Sequence, residues 1–356
     1  MFSGNKGEWS EIYTLVKLLA DGKVYAADSK LNKITGLYYP ILKIIRRELD
    51  NDFMFSRESK IMIKNKNGVE IASIEIETFK QQAAALLELI KNKSGRSFTI
   101  PEIEPFLKNI SCKTLKAKHS KKRDITLIVH DPVTLNEPEL GFSIKSKLGG
   151  DSTLLNASKS TNFIYEVKDA KITNSLIKEI NNISSYKKIF KRVDKIYEIG
   201  GSLEFKKVSS DMFYQNMTVI DSMLPKIISE LILLYYKGVD NYLSNLIHVI
   251  KKENPCNFQI NNNHPFYEYK IKQFLNDVAL GLTPTTMWTG MYDATGGYLI
   301  VREDGEILCY HVYNMNNFQN YLLNNTRFET PSSSRHNFGI IYPQNGRYLF
   351  KSTNKI

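Results

Sequence analysis

Asp124 stands at the head of an apolar run that continues to Asp131, and Ser143, Lys145 and Lys147 alternate with Phe142 and Ile144 in a second run from Leu140 to Lys147. In a strand, residues two apart share a face, so Ser143, Lys145 and Lys147 point one way and Phe142 and Ile144 the other. If the two runs pair as a hairpin with its tip between Asp131 and Leu140, paired positions sum to about 271, so Asp124 faces Lys147 and lies diagonal to Lys145. An aspartate beside lysines suits phosphodiester hydrolysis: the carboxylate can hold a divalent cation against the scissile phosphate while a lysine orients or activates the attacking water. One aspartate is a sparse ligand set, so a second carboxylate is expected, with Glu11 or Glu8 near the N-terminus as candidates. The same residue types also occur on ordinary solvated sheets, and Asp131 reads as a cap for the turn before Pro132.

Several elements must position these residues. A helix is expected from about Glu8 to Ala20, where Ile12, Leu15, Val16, Leu18 and Leu19 recur at helical spacing before Asp21-Gly22. A hairpin around Asn65-Lys-Asn-Gly68 and a helix near Phe79 to Lys91 follow. The basic stretch Lys113, Lys116, Lys118, His119, Lys121, Lys122 and Arg123 leads into the Asp124 run. A short strand is expected over 162–167, helices from roughly 172 to 281, and strands again over 297–301, 306–312, 338–342 and 347–351. This mixture predicts an α+β fold with a soft boundary near Gly200-Gly201. Residues 1–200, which hold the Asp124 and Lys145 runs, then form a catalytic domain and 201–356 a helical and strand-rich region contributing substrate recognition. Trp9 and Trp288 read as packing residues.

Composition limits the partners. The chain has 356 residues, with 48 Lys and Arg against 37 Asp and Glu, a net charge of +11. That excess on an otherwise ordinary globular composition points to a polyanion. The three cysteines, Cys112, Cys256 and Cys309, lack metal-ligand or disulfide spacing, which favours a reducing cytoplasm. No signal-peptide pattern and no run long enough for a bilayer span is apparent, so no membrane partner is expected.

The separation of Asp124 from Ser143-Ile144-Lys145 resembles the core of PD-(D/E)xK nucleases, in which an aspartate opens one strand and an acidic-x-lysine triplet lies on the next. Longer stretches are more specific: Asn5-Lys-Gly-Glu-Trp-Ser-Glu11, the segment from Gly141 to Ser158, Gly281-Leu-Thr-Pro-Thr-Thr-Met-Trp-Thr-Gly290, and Gly296-Gly-Tyr298. Together they resemble the HpaII-type type II restriction endonucleases over nearly the whole chain. The resemblance implies a PD-(D/E)xK central mixed sheet flanked by helices and a Mg2+-dependent endonuclease that cuts both strands of DNA within CCGG. It also implies a cognate cytosine methyltransferase that protects host sites. Position by position, Asp124 matches the metal-binding aspartate, Lys145 the motif lysine and Glu11 the helix glutamate, so Asp124 and Glu11 are the expected metal ligands. Ser143 departs from the pattern, because a carboxylate normally stands there; Glu11, a later acid such as Glu166, or a site with fewer metal ions would compensate. The terminal residues Phe350 to Ile356 are unlike the apolar last strand expected of the family.

Reading CCGG needs donors to guanine and acceptors for cytosine. Arg335 and His336, in Thr330-Pro-Ser-Ser-Ser-Arg-His336, are the first candidates, with Lys147 at the end of the catalytic strand and Ser152, Thr153 and Asn156 just beyond it. A non-cleaving DNA-binding protein and a repair-type or RNA-directed nuclease on the same fold are the alternatives. A palindrome admits either a symmetric dimer or a monomer acting twice.

Overall fold

The computed structural model describes residues 2–48, 51–117, 122–132, 135–169 and 172–356. Lys118, His119 and Lys121 of the basic stretch lie outside the described residues. Two compact units are present: Met1–Ser152 with Tyr292–Tyr321, and Thr153–Met291 with Leu322–Ile356. The expected boundary at Gly200-Gly201 falls within the second unit, in the turn between a helix, Lys188–Glu198, and a strand, Ser202–Val208. Gly200 takes a φ of 78° there, and the Gly201 N–H donates to the Ile196 carbonyl at 2.9 Å.

The first unit is built on the helix Lys6–Asp21. Its start is a capping box: the Glu8 N–H donates to Asn5 Oδ1 at 3.0 Å and the Asn5 N–H to Glu8 Oε2 at 2.8 Å. Its end is Gly22, whose left-handed φ of 69° lets its N–H reach the Leu18 carbonyl. Trp9, Ile12, Tyr13, Leu15, Val16 and Leu19 are all buried, each contributing about 1.5–3 kcal/mol of transfer free energy. The helix is therefore a rigid platform for whatever its remaining face carries.

A nine-stranded mixed sheet lies beside it, in the order Lys23–Ala27, Ile307–His311, Gly297–Val301, Glu139–Ser146, Ile125–Val129, Lys33–Arg47, Asp52–Arg57, Ile61–Asn65 and Glu70–Ile74. Lys23–Ala27 also pairs with the first part of Lys33–Arg47, so the ladder closes on itself. Glu139–Ser146 and Gly297–Val301 run parallel, whereas Ile125–Val129 and Glu139–Ser146 run antiparallel. The strand Lys33–Arg47 was not anticipated. Gly36 and Pro40 read locally as breakers, yet Pro40 lies opposite Lys23 and its carbonyl accepts from the His130 N–H.

The register of the hairpin bearing Asp124 and Lys145 corrects the expected one. Ile125 pairs with Phe142 and Leu127 with Leu140, so paired numbers sum to 267, and Asp124 stands opposite Ser143 instead of Lys147. The Asp131 N–H donates to the Asn136 carbonyl at 2.9 Å, which carries the pairing past the strands and sets the turn earlier than assumed. The slip is four residues, an even number, so every side chain keeps its face.

Gly297 shows how tightly these strands are joined. Its φ is 105°, and a Cβ there would lie 2.0 Å from the Tyr310 carbonyl oxygen. Gly297→Ala is expected to cost at least about 3 kcal/mol of folding free energy, measured by urea denaturation; an unchanged midpoint would contradict this packing.

The second unit holds an antiparallel sheet in the order Ser202–Val208, Phe163–Lys168, Arg347–Ser352 and Ile341–Gln344. The helices Asp211–Ile220, Leu224–Tyr236, Leu243–Glu253 and Phe266–Leu280 pack against one another. Arg347–Ser352 is an interior strand, paired on both sides, so the chain's last residues are structural despite their polar composition. The Leu154 and Leu155 N–H groups both donate to the Ile356 carbonyl. No helix among the described residues is long and apolar enough to cross a membrane.

Candidate active site

Asp124 begins immediately before the strand Ile125–Val129, and its N–H donates to the Phe142 carbonyl at 2.8 Å. Its Oδ2 accepts two hydrogen bonds from the neighbouring strand, from the Ser143 hydroxyl at 3.0 Å and from the Ile144 N–H at 2.7 Å. Both bonds fall on one oxygen, Oδ2, which orients the carboxylate. Ser143, at the position where a carboxylate was expected, is buried and acts as a donor that orients Asp124.

Lys145 lies two residues further along the same face, half-buried, with its Nζ 5.5 Å from the centre of the buried Tyr298 ring. Tyr298 is opposite Ser143 in the parallel ladder. Burial lowers the Lys145 pKa, while the charges of Asp124 and Glu11 raise it.

Glu11 comes from the helix Lys6–Asp21. The hydroxyl of Ser10 donates to the Ser146 hydroxyl at 2.8 Å and pins that helix to the end of the Lys145 strand. Burial pushes the Glu11 carboxyl up to about 8, and the negative charge of Asp124 adds to the effect; Lys116 and Arg46 oppose it. A carboxyl held up by burial and by a neighbouring carboxylate is one whose ionised form a bound cation would favour. Glu8, the other early candidate, is occupied: it closes the capping box and pairs with Lys116 at 3.4 Å.

A second cation was not singled out from the sequence. Burial lowers the Lys122 ammonium pKa to about 8, with Lys145 as the next cause and Asp124 and Asp293 opposing. In a stretch this rich in lysine, no local signal separates Lys122 from its neighbours. Asp293 and Thr295 were missed as well; only the adjoining Gly296-Gly297 pair hinted at a close approach of chains there.

The remaining sequence candidates are distributed as follows. Lys147 is half-buried and its N–H donates to the Val301 carbonyl. Ser152 is exposed at the end of the first unit, and Thr153, Asn156, Arg335 and His336 belong to the second. Arg335 and His336 sit on a short helix, Ser333–His336, with Arg335 exposed and the His336 carbonyl accepting from the Asn162 side chain. Glu166 also lies in the second unit, where Lys168 and Lys206 hold its carboxyl down at about 2 and Arg347 lies 3.6 Å away. That carboxylate is committed to its own cations. Trp9 is buried and donates to the Phe98 carbonyl, and Trp288 packs its ring over Gly281.

The sequence matches the HpaII restriction endonuclease family model across residues 5–356. It is also 49% identical to the type II restriction enzyme HpaII of Haemophilus parainfluenzae, over 98% of this chain and 97% of that protein. The chain belongs to the HpaII restriction endonuclease family. It is a type II restriction endonuclease, a site-specific deoxyribonuclease acting on double-stranded DNA. No solved structure matches it.

Enzymes of this type generally use a divalent metal ion. Among the described residues no group of three or more His, Cys, Asp or Glu side chains is arranged to hold one. The donor set here still fits a hard cation: Asp124 and Glu11 both offer carboxylate oxygens, burial and the charge of Asp124 disfavour ionisation of Glu11 until a cation is bound, and neither is a soft ligand. Magnesium commonly binds through one or two carboxylates and keeps water and phosphate oxygens for its other positions.

Proposed function

We propose that this endonuclease hydrolyses both strands of duplex DNA within CCGG, that its metal is Mg2+, and that Asp124, Glu11, Ser143 and Lys145 form the catalytic group. The observation supporting the assignment is the convergence of a doubly hydrogen-bonded aspartate, a half-buried glutamic acid and a half-buried lysine from three adjoining elements. Asp124 and Glu11 would hold the metal. When bound, it offsets negative charge that develops on the phosphate. Ser143 keeps the Asp124 carboxylate in one orientation, and Lys145 places a positive charge where the attacking water and phosphate meet. Because burial lowers its pKa, Lys145 sheds a proton more easily than a surface lysine and can accept one from that water after release.

Donor chemistry and place in the chain support base reading by Arg335 and His336 and further DNA contacts by Lys147, Ser152, Thr153 and Asn156, and the family resemblance supports a cytosine methyltransferase acting on the same site without necessary contact. We place the enzyme in the cytoplasm, where its DNA substrate is found and its three free cysteines stay reduced. Digestion of a defined plasmid with Mg2+, followed by mapping of the ends, is expected to give double-strand breaks at every CCGG and none elsewhere. Cuts at other sequences would reject the specificity, and cutting without added divalent cation would reject the metal.

A further inference from the structure

The segment from Asp293 to Gly296, where the chain has just re-entered the first unit, lies across both strands of the catalytic hairpin. The Lys122 N–H donates to Asp293 Oδ2 at 2.8 Å. The Gly141 N–H donates to Thr295 Oγ1 at 3.1 Å, and the Gly296 N–H donates to the Gly141 carbonyl at 2.7 Å. One short segment thus grips the chain two residues before Asp124 and two residues before Ser143.

The fit is close on every side. A Cβ on Gly141 would come 2.2 Å from Arg123 Cδ and 3.1 Å from the Asp293 carbonyl oxygen, and one on Gly296 would come 2.4 Å from the Phe142 ring. Ala294 is fully buried. Asp124 itself is outside the regular ladder, whose first pair is Ile125 with Phe142, so the ladder alone does not determine the path of the chain entering it. The segment ahead of Asp124 takes its anchor from Asp293 instead.

We propose that Asp293–Gly296 is a strap that positions the catalytic aspartate, with Asp293 as its principal positioning residue through the bond it accepts from the Lys122 N–H. Thr295 performs the matching task for the strand bearing Ser143 and Lys145. The inference rests on the assignment of Asp124 to the catalytic group. Removing the anchor frees the Lys122–Arg123 backbone, so that the chain entering Asp124 no longer holds the carboxylate and its two hydrogen bonds at the metal-binding position.

The test compares Asp293→Ala and Asp293→Asn with the parent enzyme on a CCGG plasmid, reading kcat, KM for DNA, the Mg2+ concentration for half-maximal rate and the thermal midpoint. Asp293→Ala is expected to lower kcat and raise the Mg2+ requirement, each roughly 10- to 100-fold as for other residues supporting metal ligands, with KM unchanged. Asp293→Asn, which can still accept the Lys122 N–H, restores kcat to near the parent value. A parental kcat and Mg2+ requirement in Asp293→Ala overturns the proposal, as does an Asn variant as impaired as the Ala variant, which would assign the effect to charge. If Asp293→Ala does not fold, Thr295→Val and Thr295→Ser supply the same comparison at an exposed side chain, with Ser rescuing kcat and Val not; equal rates for the two overturn the strap. Asp124→Asn runs alongside. If Asp124→Asn is inactive and Asp293→Ala is normal, only the strap falls, whereas an active Asp124→Asn removes the site assignment itself.

Discussion

Replacing Lys145 with Ala is expected to lower the single-turnover cleavage rate roughly 10²- to 10⁴-fold, the range for loss of a positioned proton-transfer or charge-stabilising group, with DNA affinity changed only a few-fold. The asymmetry follows from where the lysine sits. Its Nζ lies against the Tyr298 ring and is shielded by burial, so it is poorly placed to meet phosphates along a duplex and well placed to act on one buried reacting group. Lys145→Arg is not expected to rescue, because a planar guanidinium does not fill the space of a compact ammonium and does not deprotonate. Asp124→Asn should be equally severe for a different reason. The amide oxygen can still accept the Ser143 and Ile144 donors, so the hairpin survives, but a neutral group binds a hard cation weakly. Rapid-quench cleavage of a CCGG duplex, with gel shifts in Ca2+ to measure binding separately, checks both variants. A rate within threefold of the parent in either one would remove that residue from the catalytic group.

The second large effect is in stability. Glu11 has its carboxyl raised to about 8 in the fold, against 4.5 for the free group. Between those values the unfolded chain is ionised at this position while the metal-free native state still holds its proton. The native state binds more protons, so stability falls as pH rises from about 4.5 and reaches its full deficit above about 8. The loss is on the order of a few kcal/mol once solvent relaxation around a partly accessible group is allowed for. Glu11→Gln is expected to erase this slope, making the metal-free protein more stable than the parent at pH 8.5 while abolishing cleavage. A divalent cation should do the same for the parent by replacing the proton, and its affinity should climb with pH over that interval. Urea denaturation at several pH values, with EDTA or with Mg2+, gives the comparison. Parallel pH curves for the parent and Glu11→Gln would show that Glu11 ionises normally and would exclude the coupling with Asp124.

Stability and activity therefore pull against each other at this site. Glu11, Asp124, Lys145 and Lys122 are all half-buried, and ionisation of Glu11, disfavoured by burial and by the charge of Asp124, strains the metal-free fold. The surroundings are correspondingly stiff. The helix Lys6–Asp21 is capped at both ends and pinned by the Ser10–Ser146 bond. The buried Arg46–Glu48 pair, 2.7 Å apart, grips the chain that leads to Lys116: Arg46 donates to the Thr114 carbonyl, and the Thr114 hydroxyl lies within bonding distance of Glu48. Lys116 and Arg46 are there the counter-charges to Glu11.

Local signals in the sequence were enough for the elements that carry chemistry. Asn5, Glu8 and Gly22 bracket the first helix because capping depends on residues three or four apart, and Asn65 to Gly68 mark their hairpin for the same reason. The shared face of Asp124, Ser143 and Lys145 follows from a period of two, which any even slip of register preserves. The partner facing Asp124 does not follow from it, since that depends on where an eight-residue connection turns, and the Asp131–Asn136 pairing set this four residues from the expectation. Lys33–Arg47 was hidden by Gly36 and Pro40, whose positions become acceptable only once a partner strand is present. Asp293, Thr295 and Tyr298 reach the site from some 150 residues away in sequence through a parallel pairing. The charge coupling of Glu11 with Asp124, like the depth at which Lys145 is buried, exists only after those distant segments exclude water, so it was decided by tertiary structure alone.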